Sequence, residues 1–233
     1  MKYYCLIILL CCASMKLFGQ HHYGTTGLIS APTAEMQKDK TFMIGGSMID
    51  HNIYRSGYWS NSREYNPYTF NYYLNITIFP WLEVAYTCTL VKGAHGSSYW
   101  PQQTWGKFTN QDRSFHFRLR AWKEGWWKSW TPQIVLGAND PGSHESSGGG
   151  NITFDNVGEN TNHLTRFYLA ATKHFTFQQW GILGVHASVI QFDGLDFDND
   201  HGVTVGVNYR FQRPNDGFWN KALNGLNLMG GIL

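Results

Sequence analysis

The stretch RSFHFRLRAWK, residues 113–123, decides the fold. Apolar and polar side chains alternate along it, with Phe115, Phe117, Leu119 and Ala121 between Ser114, His116, Arg118 and Arg120. Successive side chains of a β-strand point to opposite faces, so one face of this strand is apolar and the other is polar and charged. The pattern therefore predicts a strand whose two faces meet different surroundings.

The same period of two recurs along the chain. Clear alternation covers residues 68–78, 82–90, 183–189 and 203–211, and weaker alternation covers residues 42–49, 132–139, 164–175 and 226–233. Pro80 marks a tight turn, because proline cannot donate to a ladder. No helical period of comparable length competes after residue 19. The sequence predicts an all-β fold of about eight to ten antiparallel strands.

The connections between these strands alternate in length. Those after the even-numbered strands are short or moderate and lie around Pro80, Gly125, Gln178 and Pro214, whereas those after the odd-numbered strands are long and polar, at residues 51–67, 93–112, 140–162 and 192–201. Outer-membrane barrels have short periplasmic turns and long external loops. We therefore predict an up-and-down transmembrane β-barrel whose mature N-terminus lies in the periplasm.

Composition favours this fold over a soluble β-sandwich, which would also alternate. Aromatic residues make up 16% of the chain and charged residues 15%, as expected where Trp and Tyr line membrane interfaces. Nine segments conflict with the even strand number of most bacterial single-chain barrels. An extra strand at Gly27–Ser30, a stub at the last segment or a shortened chain would resolve the conflict.

The first residues predict export. Lys2 precedes an apolar run, and Gly19 and Gln20 supply the expected cut, so residues 1–19 are a signal peptide and residues 20–233 the barrel domain. A lipoprotein signal is the alternative, but Leu10 stands where a small residue should precede the modified cysteine. Beyond the signal peptide only Cys88 remains, so no internal disulfide forms. The predicted location is the outer membrane of a Gram-negative bacterium, in contact with its lipid.

Three segments carry a family resemblance. They are GTTGLISAPTA at residues 24–34 followed by Asp39, then FPWLEV at 79–84 with residues 112–114 and 132–140, and FYLAATK at 167–173 with residues 192–194 and 206–210. Together they resemble the YjbH, or GfcD-like, family of exopolysaccharide-biosynthesis outer-membrane proteins, although Lys40 stands where the family has Gly. The resemblance implies secretion or assembly of extracellular polysaccharide, with polysaccharide and export-machinery proteins as partners. It implies no chemistry and no cofactor.

Polar side chains on the face opposite the lipid are the candidate functional residues: Glu83, His116, Arg118, Arg120, Arg166, His186 and Arg210. Charges on that face must be paired or hydrated. One hypothesis is an arginine-lined interior that accepts an anionic glycan or a partner. The other is that Glu83 and Asp140 pair with the arginines and plug a narrow barrel.

Metal sites have incomplete signals. In the acidic loop that begins at Asp193, the side chains of Asp196, Asp198 and Asp200 offer oxygen ligands at alternate positions. Val207 stands where a calcium loop has its bidentate Glu, which favours a solvated loop. His21 and His22 lie next to the predicted cut, where we expect a flexible terminus rather than a metal tether. The formal charge is near zero once Lys2 and Lys16 leave, which gives no indication of a nucleic-acid partner.

Two other function classes remain in the sequence. A soluble or surface β-sandwich would bind a partner, and a barrel hydrolase acting on lipids would use Ser47, Ser97 or Ser188 with His116 or His186. A hydrolytic triad is recognised by geometry, and no spacing here supports one. We therefore predict that the chain is not an enzyme.

Overall fold

The computed structural model describes residues 20–49, 69–91, 110–141, 166–178, 180–192, 201–214 and 216–232. The predicted signal peptide, Ser97 and the four aspartates between residues 193 and 200 lie outside the described residues.

In these ranges nine strands form one antiparallel sheet, in which each strand pairs with its neighbours in the chain. They are β1 (Thr41–Ile49), β2 (Thr69–Phe79), β3 (Leu82–Val91), β4 (Asn110–Trp122), β5 (Gln133–Asn139), β6 (Arg166–Phe177), β7 (Gly181–Phe192), β8 (His201–Phe211) and β9 (Asn227–Ile232). Each lies within three residues of its predicted bounds. The all-β, up-and-down antiparallel prediction is confirmed.

Three sequence expectations are corrected. A helix, α1 (Gly217–Asn224), lies between β8 and β9, although no helix was expected. The suggested strand at Gly27–Ser30 is absent from the described residues, where residues 20–32 make only the isolated bridges Gln20↔Thr26 and Gly27↔Pro32. The described strands form a single sheet, whereas a sandwich needs two. None of the helices among the described residues is long and apolar enough to cross a membrane.

The two faces of the sheet reverse the pattern of a soluble protein. On β4, His116 and Arg118 are completely buried, whereas Phe115, Phe117 and Leu119 are 53%, 42% and 41% exposed. Other strands also place apolar side chains outward, and the exposed ones include Ile44, Leu74, Leu136, Leu169, Val205 and Val207. Exposed large apolar side chains in contiguous rows mark a surface that contacts a membrane or another protein.

Residues 20–37, here called the inner segment, cover the polar face. Asn75 of β2 donates to the carbonyl of Gly24 at 2.9 Å, whereas the side chain of Leu28 lies against Gly231 of β9. Residues 24 and 28 are at most about 14 Å apart along the chain. In a flat sheet β2 and β9 would lie about 33 Å apart. The sheet therefore curls around the inner segment, and its polar face is concave.

Glycine makes room for a tyrosine on this concave face. Gly137 of β5 is paired with Tyr168 of β6, and a Cβ on Gly137 would lie 1.9 Å from the ring carbon Cζ. The tyrosine ring therefore lies flat across the neighbouring strand. This position brings its hydroxyl to Arg118 of β4.

Candidate functional site

A buried ion pair lies at the centre of the concave face. Arg118 Nη1 is 3.0 Å from both carboxylate oxygens of Glu83, and neither side chain is exposed. Register places the two residues directly opposite each other on β3 and β4. The sequence hypothesis that Glu83 pairs with an arginine is therefore realised in the structure.

Arg118 also binds groups on both sides of this pair. Its Nε donates to the Tyr168 hydroxyl at 3.0 Å, and its Nη2 donates to the backbone carbonyls of Thr33 and Glu35, the latter at 2.8 Å. Thr33 and Glu35 belong to the inner segment. The guanidinium thus joins β3, β4 and β6 to that segment through a fork of fixed geometry.

Glu83 receives a matching set of donors. The backbone N–H and the hydroxyl of Thr26 donate to its two oxygens at 2.8 and 2.9 Å, and Asn75 Nδ2 donates at 2.8 Å. A buried carboxylate is tolerated when it is paired and hydrogen-bonded. Both charges of the central pair are therefore satisfied by groups of the chain itself.

A second cluster surrounds Glu35. Its carboxylate accepts from His174 at 3.0 Å and from Asn208 at 3.1 Å, and Arg210 lies 3.6 Å away. His174 also contacts Glu124 at 2.6 Å through its other ring nitrogen. Burial would raise the pKa of Glu35, but the hydrogen bond from His174, the charges near it and the Asn208 bond together lower that pKa to about 2.

This pKa predicts a pH dependence of stability. The folded-state pKa of about 2 lies below the usual value of 4.5, so the Glu35 carboxylate stabilises the fold above pH 4.5 and loses that contribution as the pH falls towards 2. The difference in free energy of unfolding between wild type and Glu35→Gln, measured by urea titration in detergent, should shrink from pH 5 to pH 2. A difference that stays constant over this window would contradict the assignment.

A third cluster lies around Arg166. Its Nη2 is 2.8 Å from His21 Nε2, and its guanidinium lies 4.4 Å from the centre of the Tyr23 ring. Tyr23 stacks on His116 with 5.7 Å between ring centres. Burial lowers the pKa of His21 well below its usual value, and the charges of His22 and Arg166 lower it further. The prediction of a flexible terminus is wrong for His21, because contacts with Arg166 and Tyr23 hold this side chain against the concave face.

The predicted site residues all lie on the concave face, in different clusters. Glu83 and Arg118 form the central pair, His116 and Arg166 lie in the third cluster, and Arg120 and Arg210 are partly exposed near the short-turn end. His186 contacts Thr172 and Asn208 at 2.9 and 3.1 Å, which connects it to the Glu35 cluster. Sequence reasoning missed several members, among them Glu35, Glu124, Tyr168 and His174.

Among the described residues, Ser188 and His186 do not contact each other and are engaged by other side chains. The Ser188 hydroxyl contacts Thr204 at 2.5 Å, while His186 is engaged by Thr172 and Asn208. Within the described ranges, no group of three or more His, Cys, Asp or Glu side chains could hold a metal ion. What the described arrangement does is bind the inner segment to the sheet.

Comparisons with known proteins place these features in a family. The family model described as "Exopolysaccharide biosynthesis protein YbjH" matches residues 19–149, which include the inner segment, β1 to β5 and the Glu83–Arg118 pair. The protein named "Uncharacterized lipoprotein YjbH" from Escherichia coli (strain K12) is 29% identical over 123 residues, which are 53% of this chain and 14% of that protein. The chain thus spans a small part of this relative's length. No solved structure matches the chain.

Proposed function

Because the chain belongs to the YjbH exopolysaccharide-biosynthesis family, we propose that it is an outer-membrane β-barrel unit that takes part in the export or assembly of an extracellular polysaccharide. The match covers the inner segment and the strands that hold the central ion pair. The chain spans little of its longer relative, so the proposed role is that of one unit in an assembly.

The proposal of a barrel rests on the two faces of the sheet, of which the outer is apolar and exposed and the inner is largely polar and buried. Apolar side chains outside and a hydrogen-bonded polar network around the Glu83–Arg118 pair inside are the arrangement that a lipid environment selects. Backbone groups at open sheet edges are costly in lipid, which favours closure of the sheet between β1 and β9. Strand directions alternate across nine strands, so these two strands run parallel and closure would pair them in parallel.

The interior supports a plug rather than a path for an anionic glycan at the level of Arg118. Every nitrogen of this guanidinium donates to Glu83, Tyr168 or a carbonyl of the inner segment. A glycan carboxylate would have to displace one of these partners. In this proposal the polar interior is structural, the chain performs no catalysis, and the polysaccharide role is exerted elsewhere on its surface or through partner proteins.

Cell fractionation with a genetic readout tests this function. We expect the chain in the outer-membrane fraction of Gram-negative cells, with faster gel migration before boiling than after. Inactivating its gene should reduce extracellular polysaccharide, and the wild-type chain should restore it. Recovery in the aqueous fraction would contradict the barrel, whereas unchanged polysaccharide with a normal barrel would contradict only the export or assembly role.

A further inference from the structure

One end of the curled sheet carries exposed aromatic side chains in every described connection. The turns after β2, β4, β6 and β8 lie at the same end, because neighbouring strands run in opposite directions. Exposure of their aromatic side chains runs from 48% to 78%, as seen for Trp81, Trp127, Trp130, Trp180, Phe218 and Trp219. This aromatic end continues the apolar outer face of the strands, where Phe79, Phe117 and Leu119 are also exposed.

Helix α1 belongs to this end and buries none of its residues. Phe218 and Ala222, like Trp219 and Leu223, are four residues apart and share one face, whereas Asn220, Lys221 and Asn224 lie on the other. An amphipathic helix with Trp and Phe on its apolar face is suited to the boundary between lipid headgroups and acyl chains. On that face Phe218, Trp219 and Ala222 are exposed, and Leu223 is partly buried.

The aromatic end carries more basic than acidic residues. In the described connections and the turn before β1, Lys38, Lys40, Lys123, Lys128, Arg213 and Lys221 outnumber Asp39, Glu124 and Asp216. Lys173 of β6 pairs with Glu124 at 2.8 Å and neutralises it, so the net charge of the aromatic end is more positive than the count suggests. Two of the cations stand over exposed rings, Lys128 over Trp127 and Arg213 over Trp180, each 4.6 Å from the ring centre.

We propose that the aromatic end docks in a leaflet of anionic glycerophospholipid, with its rings at the acyl boundary and Lys128, Arg213 and Lys221 at the headgroup phosphates. The inference rests on the proposed barrel, and it names the lipid that the aromatic end of the barrel contacts. Two observations favour a leaflet over a glycan or a protein: the rings are spread over all four connections, and they are continuous with the lipid-facing strands. Each basic residue near an anionic surface contributes about 1 kcal/mol of attraction, or about a fivefold change in affinity.

Tryptophan quenching by brominated lipids tests this proposal. The full chain is folded into vesicles of phosphatidylcholine mixed with phosphatidylglycerol, with bromine on the acyl chains of one lipid or the other. We expect brominated phosphatidylglycerol to quench more strongly, and high salt to reduce the difference because it screens the charges. The triple variant Lys128→Gln, Arg213→Gln, Lys221→Gln should lower the preference for phosphatidylglycerol at least about fivefold.

The matched control keeps the charges: Lys128→Arg with Lys221→Arg should retain the preference. Equal quenching by the two lipids in the wild type, or an unchanged preference in the triple variant, would overturn the inference while leaving the barrel intact. Failure to insert into vesicles of either composition, seen as the absence of a heat-modifiable band, would contradict the proposed barrel and this inference with it.

Discussion

Replacing Arg118 with Met is expected to lower the free energy of unfolding by about 3–5 kcal/mol. Methionine has a similar length but no charge and no donors. Glu83 would keep a carboxylate that is 0% exposed without the cation that balances it. Two carbonyls of the inner segment and the Tyr168 hydroxyl would lose their donor as well. The change thus weakens the sheet and the attachment of the inner segment together.

The double variant Glu83→Gln, Arg118→Met separates the charge from the packing. It leaves no uncompensated charge, so we expect it to be more stable than Arg118→Met alone, although still below wild type. Urea titration in detergent micelles, followed by tryptophan fluorescence, measures both. If the single variant does not fold completely, the fraction of each variant that runs as the heat-modifiable band on a gel compares how well the single and double variants fold. A single variant as stable as wild type would contradict the central role of the pair.

Gly137→Val is expected to lower the free energy of unfolding by about 3 kcal/mol. The new Cβ would lie 1.9 Å from Cζ of Tyr168, and this contact involves the rigid ring rather than a flexible chain end. The ring must move off β5. Its hydroxyl then leaves Arg118 Nε, so the cost of overpacking is joined by a lost hydrogen bond to a charged group.

Two companion variants make this prediction specific. Gly230→Val changes a strand glycine whose Cβ would meet nothing within 4 Å, so it should cost little. Tyr168→Ala removes the ring, and adding Gly137→Val to it should then cost much less than Gly137→Val alone. Equal losses for Gly137→Val and Gly230→Val would show that valine is poorly tolerated for reasons unrelated to the tyrosine.

The strands and their orientation could be predicted from the sequence because both depend on a period of two. Most strands have an apolar outer row and a largely polar inner row, so residues such as Glu83 and Arg118 were assigned to the right face. The inner face also holds the apolar residues Val135, Ala170 and Ile190. Helix α1 was missed because it has only eight residues. The sequence signal for this helix was the spacing of four residues between Phe218 and Ala222 and between Trp219 and Leu223.

The inner segment could not be predicted, because its attachment uses mainly its backbone. The N–H of Thr26, the carbonyls of Gly24 and Tyr23, and the N–H of Ala34 bind side chains of the sheet. Nearly every residue type has a backbone N–H and a carbonyl, so the side-chain pattern of residues 20–37 does not predict these contacts. From the sequence, Gly27–Ser30 was therefore interpreted as a candidate additional strand, and His21 and His22 as a flexible terminus.

The missed members of the site had a usable signal in their spacing. Tyr168 and His174 are two and eight residues after Arg166, so even spacing within one strand puts all three on the same face. Glu35 and Glu124 had no such signal, because neither lies in a strand. Their contacts with His174 depend on how the sheet curls, which the alternation along single strands does not specify.

Spin-label accessibility along β8 tests the proposed barrel most directly, because the proposal requires a lipid-facing outside and a protected polar inside. Cys88 is the only cysteine after residue 19, so a Cys88→Ser background accepts single labels. Labels replace the outward Val203, Val205 and Val207 or the inward Thr204 and Asn208 in chains reconstituted into vesicles. The account predicts high oxygen collision rates and low rates with a water-soluble nickel reagent at the outward sites, and low rates with both at the inward sites. Outward sites that collide freely with the nickel reagent would contradict it.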